Sequence, residues 1–191
     1  MIDHYQIEAR KTAIYPSEFK LAYPTLGLSG ESAELWDKLV PDKEGGTRAV
    51  PANVVAPEMG DVLWYLVNVA HDADILFNDL AEDLTGGLCP SKFSDLHFQL
   101  VDSTDKRSPY VKLVLSVGAT CETVKKIIRD DGGNLDPKLD RLRGNLGDVL
   151  RAWLEVCDKH QLDPDDVALG NLIKLRKRSE EGKIQGDGDF R

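Results

Sequence analysis

The sequence predicts an all-α fold, a bundle of helices around a single core. Apolar residues recur at intervals of three and four through most of the chain, and no stretch alternates convincingly as a strand does. Asp-Pro pairs at 136–137 and 163–164 are typical of helix starts, where Asp caps the helix and Pro occupies its first turn. A chain of 191 residues that is 41% hydrophobic is large enough to bury a core of this kind.

Six helices are predicted, separated by segments rich in glycine and proline. Pro16 ends the first helix, the second is entered through Pro24, and the composition of residues 42–57 indicates a loop. Gly86-Gly87 and Cys89-Pro90 break the chain between the third and fourth helices. The predicted helices are Asp3–Tyr15, Thr25–Val40, Glu58–Leu80, Pro109–Arg129, Asp136–His160 and Asp163–Glu181.

The two halves of the chain resemble each other. Leu28–Val40 aligns with Ser116–Ile128 at an offset of 88 residues, and Gly60–Val69 aligns with Gly147–Val156 at an offset of 87. So constant an offset favours an internal duplication of a helix–loop–helix unit.

The alignment matches four carboxylate residues of the first half with positions in the second half, and only two of those positions also carry a carboxylate. Glu34 aligns with Glu122 and Asp61 with Asp148, whereas Glu31 aligns with Ala119 and Glu58 with Asn145. We therefore expect a single all-α domain over residues 1–191. Within it, 1–80 is the catalytic metal-binding half, 90–181 holds the degenerate repeat and a phosphate-binding helix, and 182–191 is a flexible tail.

Composition argues against a nucleic-acid-binding, secreted or membrane protein. A net charge of −9 argues against extended binding to nucleic acid, which requires a basic face. The N-terminal residues lack the apolar segment of a secretory signal, and the apolar stretches are too short to span a membrane. Three cysteines without CxxC spacing are interpreted as core thiols of a cytoplasmic protein, which we expect to contact neither nucleic acid nor membrane.

Four carboxylate residues form the pattern that predicts a metal site. Glu31 and Glu34 lie three apart on one helix, and Glu58 and Asp61 lie three apart on the next, so each pair leaves one helix face. One such pair is usually a solvated surface, but two pairs on adjacent apolar helices would crowd four negative charges around one point. Mg²⁺ prefers oxygen ligands, so the pattern predicts a Mg²⁺ site with Mn²⁺ as a substitute.

Other metal and nucleotide sites fit the sequence poorly. A di-iron site in a helical bundle requires Glu-x-x-His, but Asp37 and Asp61 stand where the histidines would be. The sequence shows no Walker loop, zinc cluster or Gly-x-Ser-x-Gly elbow.

Four separated motifs, in order, resemble the MazG-like branch of the all-α NTP pyrophosphohydrolases, which is related to the dimeric dUTPases and includes phage MazZ-type members. The motifs are ESAE (Glu31–Glu34), EMGD (Glu58–Asp61), the helix GDVLWYLVNVAHDADI containing Asn68, and the Asn171-x-x-Lys174 of GNLIKLRKR. The segments YQIEARKTAIYP and EGKIQGDGDFR are also similar to those of bacterial and phage members. One departure is an insertion of about seventy residues, roughly Leu76 to Asn145, which carries the decayed repeat.

The resemblance implies a helical bundle of the MazG and dimeric dUTPase type and attack of water on the α-phosphorus. Products would be a nucleoside monophosphate and pyrophosphate, released from a (deoxy)nucleoside triphosphate, with a lean toward a purine dNTP such as dGTP. Two or three Mg²⁺ ions would be held by Glu31, Glu34, Glu58 and Asp61, with Glu31 orienting or deprotonating the water. The resemblance also implies a homodimer or homotetramer.

Six residues are candidates for substrate binding. Lys38 lies one turn beyond Glu34, where it either meets phosphate or forms an ion pair with Glu34. Tyr65 and Asn68 follow Asp61 on one stripe and are candidates for a sugar or base pocket, whereas Trp36 and Trp64 are expected in the core. The remaining three share one helical face, which is either phosphate-binding or a solvated basic surface: Asn171, Lys174 and Arg178.

Two other functions are compatible with the sequence. One is a nucleotide-binding regulator of the same fold that has lost turnover. The other is a helical interaction module whose acidic stripe faces solvent.

Overall fold

The computed structural model describes residues 2–39, 50–100 and 105–183, and the side chains of 97–100 lie outside this description. The described residues contain helices and turns but no strand, which confirms the all-α prediction. The helices are α1 (Ile2–Lys11), α2 (Ala22–Leu39), α3 (Ala52–Asp72), α4 (Phe77–Leu84), α5 (Phe93–Leu100), α6 (Pro109–Asp131), α7 (Leu139–Lys159) and α8 (Pro164–Glu180). Two 3₁₀ turns, Ser17–Phe19 and Asp136–Lys138, precede α2 and α7.

The main differences from the predicted helices lie on either side of the Glu58 segment. The predicted loop over 42–57 is wrong from residue 52 onward, because α3 begins at Ala52 and accommodates Pro57 within its second turn. The predicted helix to Leu80 is also wrong, because Asp74 has a left-handed φ of 56° that ends α3 and separates it from α4. The first helix ends at Lys11 rather than Tyr15, and α5 was not predicted.

The repeated segments form two antiparallel helical hairpins. In the first, Lys38 near the end of α2 meets Glu58 near the start of α3, while Gly27 lies against Tyr65 further along. In the second, Lys112 near the start of α6 meets Glu155 near the end of α7. The helices of Glu31 and Glu58, which were predicted to be adjacent, are therefore antiparallel neighbours.

The two hairpins pack through α2 and α6. Thr25 contacts Cys121, whose thiol lies 3.9 Å from the Thr25 carbonyl oxygen, and Trp36 contacts Tyr110 with ring centroids 6.3 Å apart. These contacts make α2 and α6 antiparallel, which is the relation that a two-fold axis between two copies of one unit produces. The two hairpins thus pack as the predicted internal duplication would lead one to expect.

The remaining helices complete the bundle around the two hairpins. α1 and α8 pack on α3, while α4 and α5 pack on α7. No helix in the described ranges is long and apolar enough to cross a membrane.

Two expectations about the core need correction. Trp64 is buried as predicted, but Trp36 is 38% exposed because it lies on the outer edge of the α2–α6 contact. Cys157 is buried, whereas Cys121 is only partly buried and Cys89 is exposed, so one of the three free cysteines is a core thiol.

Candidate metal and nucleotide site

The first hairpin brings three of the predicted carboxylates together. Glu31, Glu34 and Glu58 each offer one oxygen atom, and these atoms lie within 4.8 Å of one another. Spacing of three residues puts Glu31 and Glu34 on one face of α2, and the antiparallel packing sets Glu58 of α3 opposite them. Glu58 is buried and Glu34 exposed, so the cluster reaches from the interior to the surface.

Crowding of these charges changes the acidity of Glu31. Burial has the largest effect on the pKa of its carboxyl group, followed by the neighbouring charges of Asp61, Glu34 and Glu58, and together they raise that pKa to about 7. Lys174 opposes the shift. At neutral pH the cluster therefore holds a proton for part of the time, which is the behaviour expected of carboxylates that repel one another.

Asp61 belongs to the same region but is held by α8. The Lys174 ammonium lies 2.5 Å from one Asp61 oxygen, and the Asn171 amide donates to the other at 3.0 Å. The motif residues predicted on separate helices therefore meet, with Asp61 at the junction of α3 and α8.

Lys38 has a partner that was not predicted from the sequence. Its ammonium forms an ion pair with Glu58 on α3, not with Glu34 on its own helix. Glu58 and Asp61, the two predicted metal ligands on α3, are thus each paired with a lysine that is also a candidate phosphate ligand.

A buried hydroxyl fixes the orientation of Asn171. The Tyr5 hydroxyl donates to the Asn171 carbonyl oxygen at 2.8 Å, which leaves the amide nitrogen to face Asp61. Asn171 also packs against Gly60, where an added Cβ would lie 2.8 Å from the Asn171 Cβ. This role of Tyr5 was not predicted, because it depends on a contact between segments far apart in sequence.

Three other predicted residues have mixed outcomes. Tyr65 is partly exposed beside the carboxylates, as expected of a pocket residue. Asn68 is completely buried, donates to the Trp64 carbonyl at 2.8 Å and accepts from Arg10 at 3.4 Å, so the prediction that it lines an open pocket is wrong. Arg178 is only 9% exposed, which contradicts a solvated basic face at that position.

The second hairpin has the same helix packing as the first but lacks the cluster of three carboxylates. The Asn145 amide donates to the Ala119 carbonyl at 3.0 Å and to the Thr123 hydroxyl at 2.8 Å, so the positions aligned with Glu58 and Glu31 again face each other. Glu122 instead pairs with Lys125 and Lys126 of its own helix. Across the described part of the second half, residues 105–183, no group of three potential metal ligands occurs.

The chain is similar to a protein of a mycobacterial phage. The chain is 34% identical over 90 residues to the Gene 37 protein of Mycobacterium phage L5, which covers 42% of this chain and 79% of that protein. The chain belongs to the family of this phage protein. No protein-family model matches the chain, and no solved structure matches it. The name of this phage protein states no activity.

Proposed function

We propose that the chain hydrolyses a (deoxy)nucleoside triphosphate to the monophosphate and pyrophosphate in a Mg²⁺-dependent reaction. The observation that carries the proposal is the approach of the Glu31, Glu34 and Glu58 oxygens to within 4.8 Å. The bond between the α-phosphorus and the oxygen bridging to the β-phosphorus breaks, and the oxygen of the attacking water joins the α-phosphorus.

The donor atoms of the site suit a hard divalent cation. All are carboxylate oxygens, and burial together with the charges of Asp61, Glu34 and Glu58 raises the pKa of Glu31. Glu31, Glu34, Glu58 and Asp61 would hold two or three Mg²⁺ ions, with Mn²⁺ as a substitute. Such ions supply neutralisation of the triphosphate charge and Lewis acidity.

Lys38 and Lys174 are placed to bind the negatively charged phosphates of the substrate. Their side chains are 33% and 24% exposed, and each now neutralises one carboxylate of α3. When cations share those carboxylates, the ammonium groups are available to the phosphate oxygens. Arg178, one turn beyond Lys174 on α8, would add a third positive charge.

Glu31 is the proposed base. Its carboxyl group is partly buried beside Glu34 and Glu58, where it could accept a proton from a water molecule held at the cluster. It would take a proton from the attacking water as the new bond to phosphorus forms.

The preferred substrate is proposed to be a purine dNTP such as dGTP. This preference, the homodimeric or homotetrameric assembly and the cytoplasmic location are proposed on the sequence resemblance and composition alone.

Incubation with each common NTP and dNTP plus Mg²⁺, followed by chromatography of the products, tests the proposal. The expected result is one or more monophosphates with equimolar pyrophosphate, and no turnover in excess EDTA. Nucleotide binding without turnover would instead identify the non-catalytic regulator, and the absence of both would favour the interaction module.

A further inference from the structure

Three tyrosines, Tyr15, Tyr23 and Tyr65, form a cluster beside the contact between α2 and α3, near the carboxylates. The rings of Tyr15 and Tyr23 are stacked, with centroids 4.8 Å apart and planes inclined by 20°. Tyr65 adjoins Tyr23 at 6.4 Å, and their hydroxyl groups are hydrogen-bonded. Of the three, only Tyr65 was singled out by its motif.

The position of Tyr65 depends on a glycine of α2. A Cβ added to Gly27 would lie only 2.0 Å from the Tyr65 ring, so the ring rests directly on the α2 backbone. Gly27 lies one turn before Glu31, and Tyr65 lies one turn after Asp61. The tyrosine cluster and the carboxylates therefore lie next to each other along the contact between α2 and α3. The helical rise of eight residues places Tyr23 about 12 Å from Glu31 along the α2 axis.

Tyr15, at one end of the cluster, is held by a hydrogen bond to the buried carboxylate of Asp72. The Tyr15 hydroxyl donates to Asp72 at 2.8 Å and accepts from Arg10 at 2.5 Å. Asp72, whose side chain has no exposed surface, also accepts from the Leu21 backbone amide at 2.8 Å. Leu21 has a φ of 63°, a conformation that is costly for a branched side chain and persists only where the surroundings enforce it.

Despite this support, Tyr23 is not a core residue. It is 44% exposed, with one face covered by Tyr15 and the remainder open beside the site. A fixed, exposed aromatic ring one nucleoside length from a phosphate-binding centre suits a flat heterocycle, because every base presents a face that can stack.

We propose that Tyr23 and Tyr65 bind the nucleobase of the substrate by stacking, with Tyr15 supporting Tyr23 from behind. This inference rests on the proposed hydrolysis of nucleoside triphosphates and assigns the part of the site that contacts the base. Because stacking depends on ring area, it favours the two-ring purines over pyrimidines.

The test compares nucleotide with inorganic triphosphate, which has phosphates but no base. Tyr23→Leu should raise KM for the best purine substrate by about tenfold or more, as loss of a stacking partner does, with a much smaller change in kcat. Tyr23→Phe retains the ring and should restore most of the lost affinity. Inhibition by inorganic triphosphate should be unaffected by either substitution.

Tyr110→Leu is a matched control, because Tyr110 is also a partly exposed tyrosine but lies near His160, at the other end of α2. It should leave KM unchanged, and circular dichroism melts verify that each variant is folded. An unchanged KM in Tyr23→Leu, or an equal weakening of inorganic triphosphate, would overturn the stacking assignment alone. Absence of turnover by the unmodified chain would overturn the proposed function as well.

Discussion

At the scale of single residues, the charge of Glu31 depends on the carboxylates around it. Its pKa of about 7 lies above the ordinary value of 4.5 because of burial and the proximity of Asp61, Glu34 and Glu58. Between these two values the folded chain binds more protons at Glu31 than the unfolded chain. The free energy of unfolding therefore decreases as pH rises from about 4.5 through 7.

Glu31→Gln is expected to stabilise the metal-free protein at pH 8, because the amide mimics the protonated acid. The gain should shrink as pH falls and vanish below about pH 4.5, where the wild-type residue is protonated in both states. Urea denaturation in EDTA across this range measures the effect.

Glu122→Gln is the control, since its lysine partners lower the pKa of Glu122 and its substitution should give no gain at pH 8. A Glu31→Gln protein less stable than wild type at pH 8 would contradict the crowding of charge.

The aligned residues Glu34 and Glu122 should differ in their effect on turnover. Glu34→Gln removes a proposed metal ligand and should lower kcat/KM by about 100-fold or more. Glu122→Gln removes only surface ion pairs with Lys125 and Lys126 and should leave the rate nearly unchanged. Steady-state assays with pyrophosphate detection compare the two, and an equal loss in both folded variants would refute the alignment.

At the scale of helices, α1 and α8 act together on Asp61. Tyr5→Phe removes the hydroxyl that orients Asn171, and loss of such supporting hydrogen bonds typically weakens metal binding by about 10- to 100-fold. We expect a higher Mg²⁺ concentration at half-maximal thermal stabilisation. Tyr110→Phe loses a comparable hydrogen bond to His160 and should not move that concentration. An unchanged Mg²⁺ titration in Tyr5→Phe would show that Asn171 is oriented by other means.

Helices with strong terminal signals were predictable from the sequence. α8 begins at Pro164 with Asp163 capping its first amides, and α6 ends at Gly132 in the left-handed conformation, both close to the predicted ends. The break after Asp72 was not predictable, because it depends on an aspartate that adopts a positive φ. The early start of α3 was missed because Pro57 was interpreted as part of a loop.

The site was predictable to a similar degree. Spacing alone identified Glu31, Glu34 and Glu58, because positions three apart on a helix share a face whatever the rest of the fold does. The Tyr5–Asn171–Asp61 chain and the Lys38–Glu58 pair join segments far apart in sequence. Such contacts depend on how the helices pack, and the pattern of one helix does not contain that information.

At the scale of the whole molecule, the two hairpins have similar helix packing but different side chains at the aligned positions. The second hairpin supports the first: the Trp153 indole donates to the Met59 carbonyl at 2.8 Å, directly beside Glu58. Asn145 meanwhile joins α7 to α6 through neutral hydrogen bonds where the first hairpin has acids. We therefore expect a single metal cluster in each chain.

Titration with Mn²⁺ tests this expectation. Two or three ions should bind tightly to each chain, and Glu34→Gln should remove or greatly weaken them. Glu122→Gln should leave the count unchanged. A second set of ions that survives Glu34→Gln would show that the later half also holds a cluster.

The central claim is that water attacks the α-phosphorus at the Glu31 site. Hydrolysis of the preferred nucleotide in ¹⁸O-water, with mass spectrometry of both products, tests it most directly. The account predicts that one ¹⁸O atom appears in the nucleoside monophosphate and none in the pyrophosphate. Label found only in the pyrophosphate, or release of orthophosphate and a diphosphate, would contradict it.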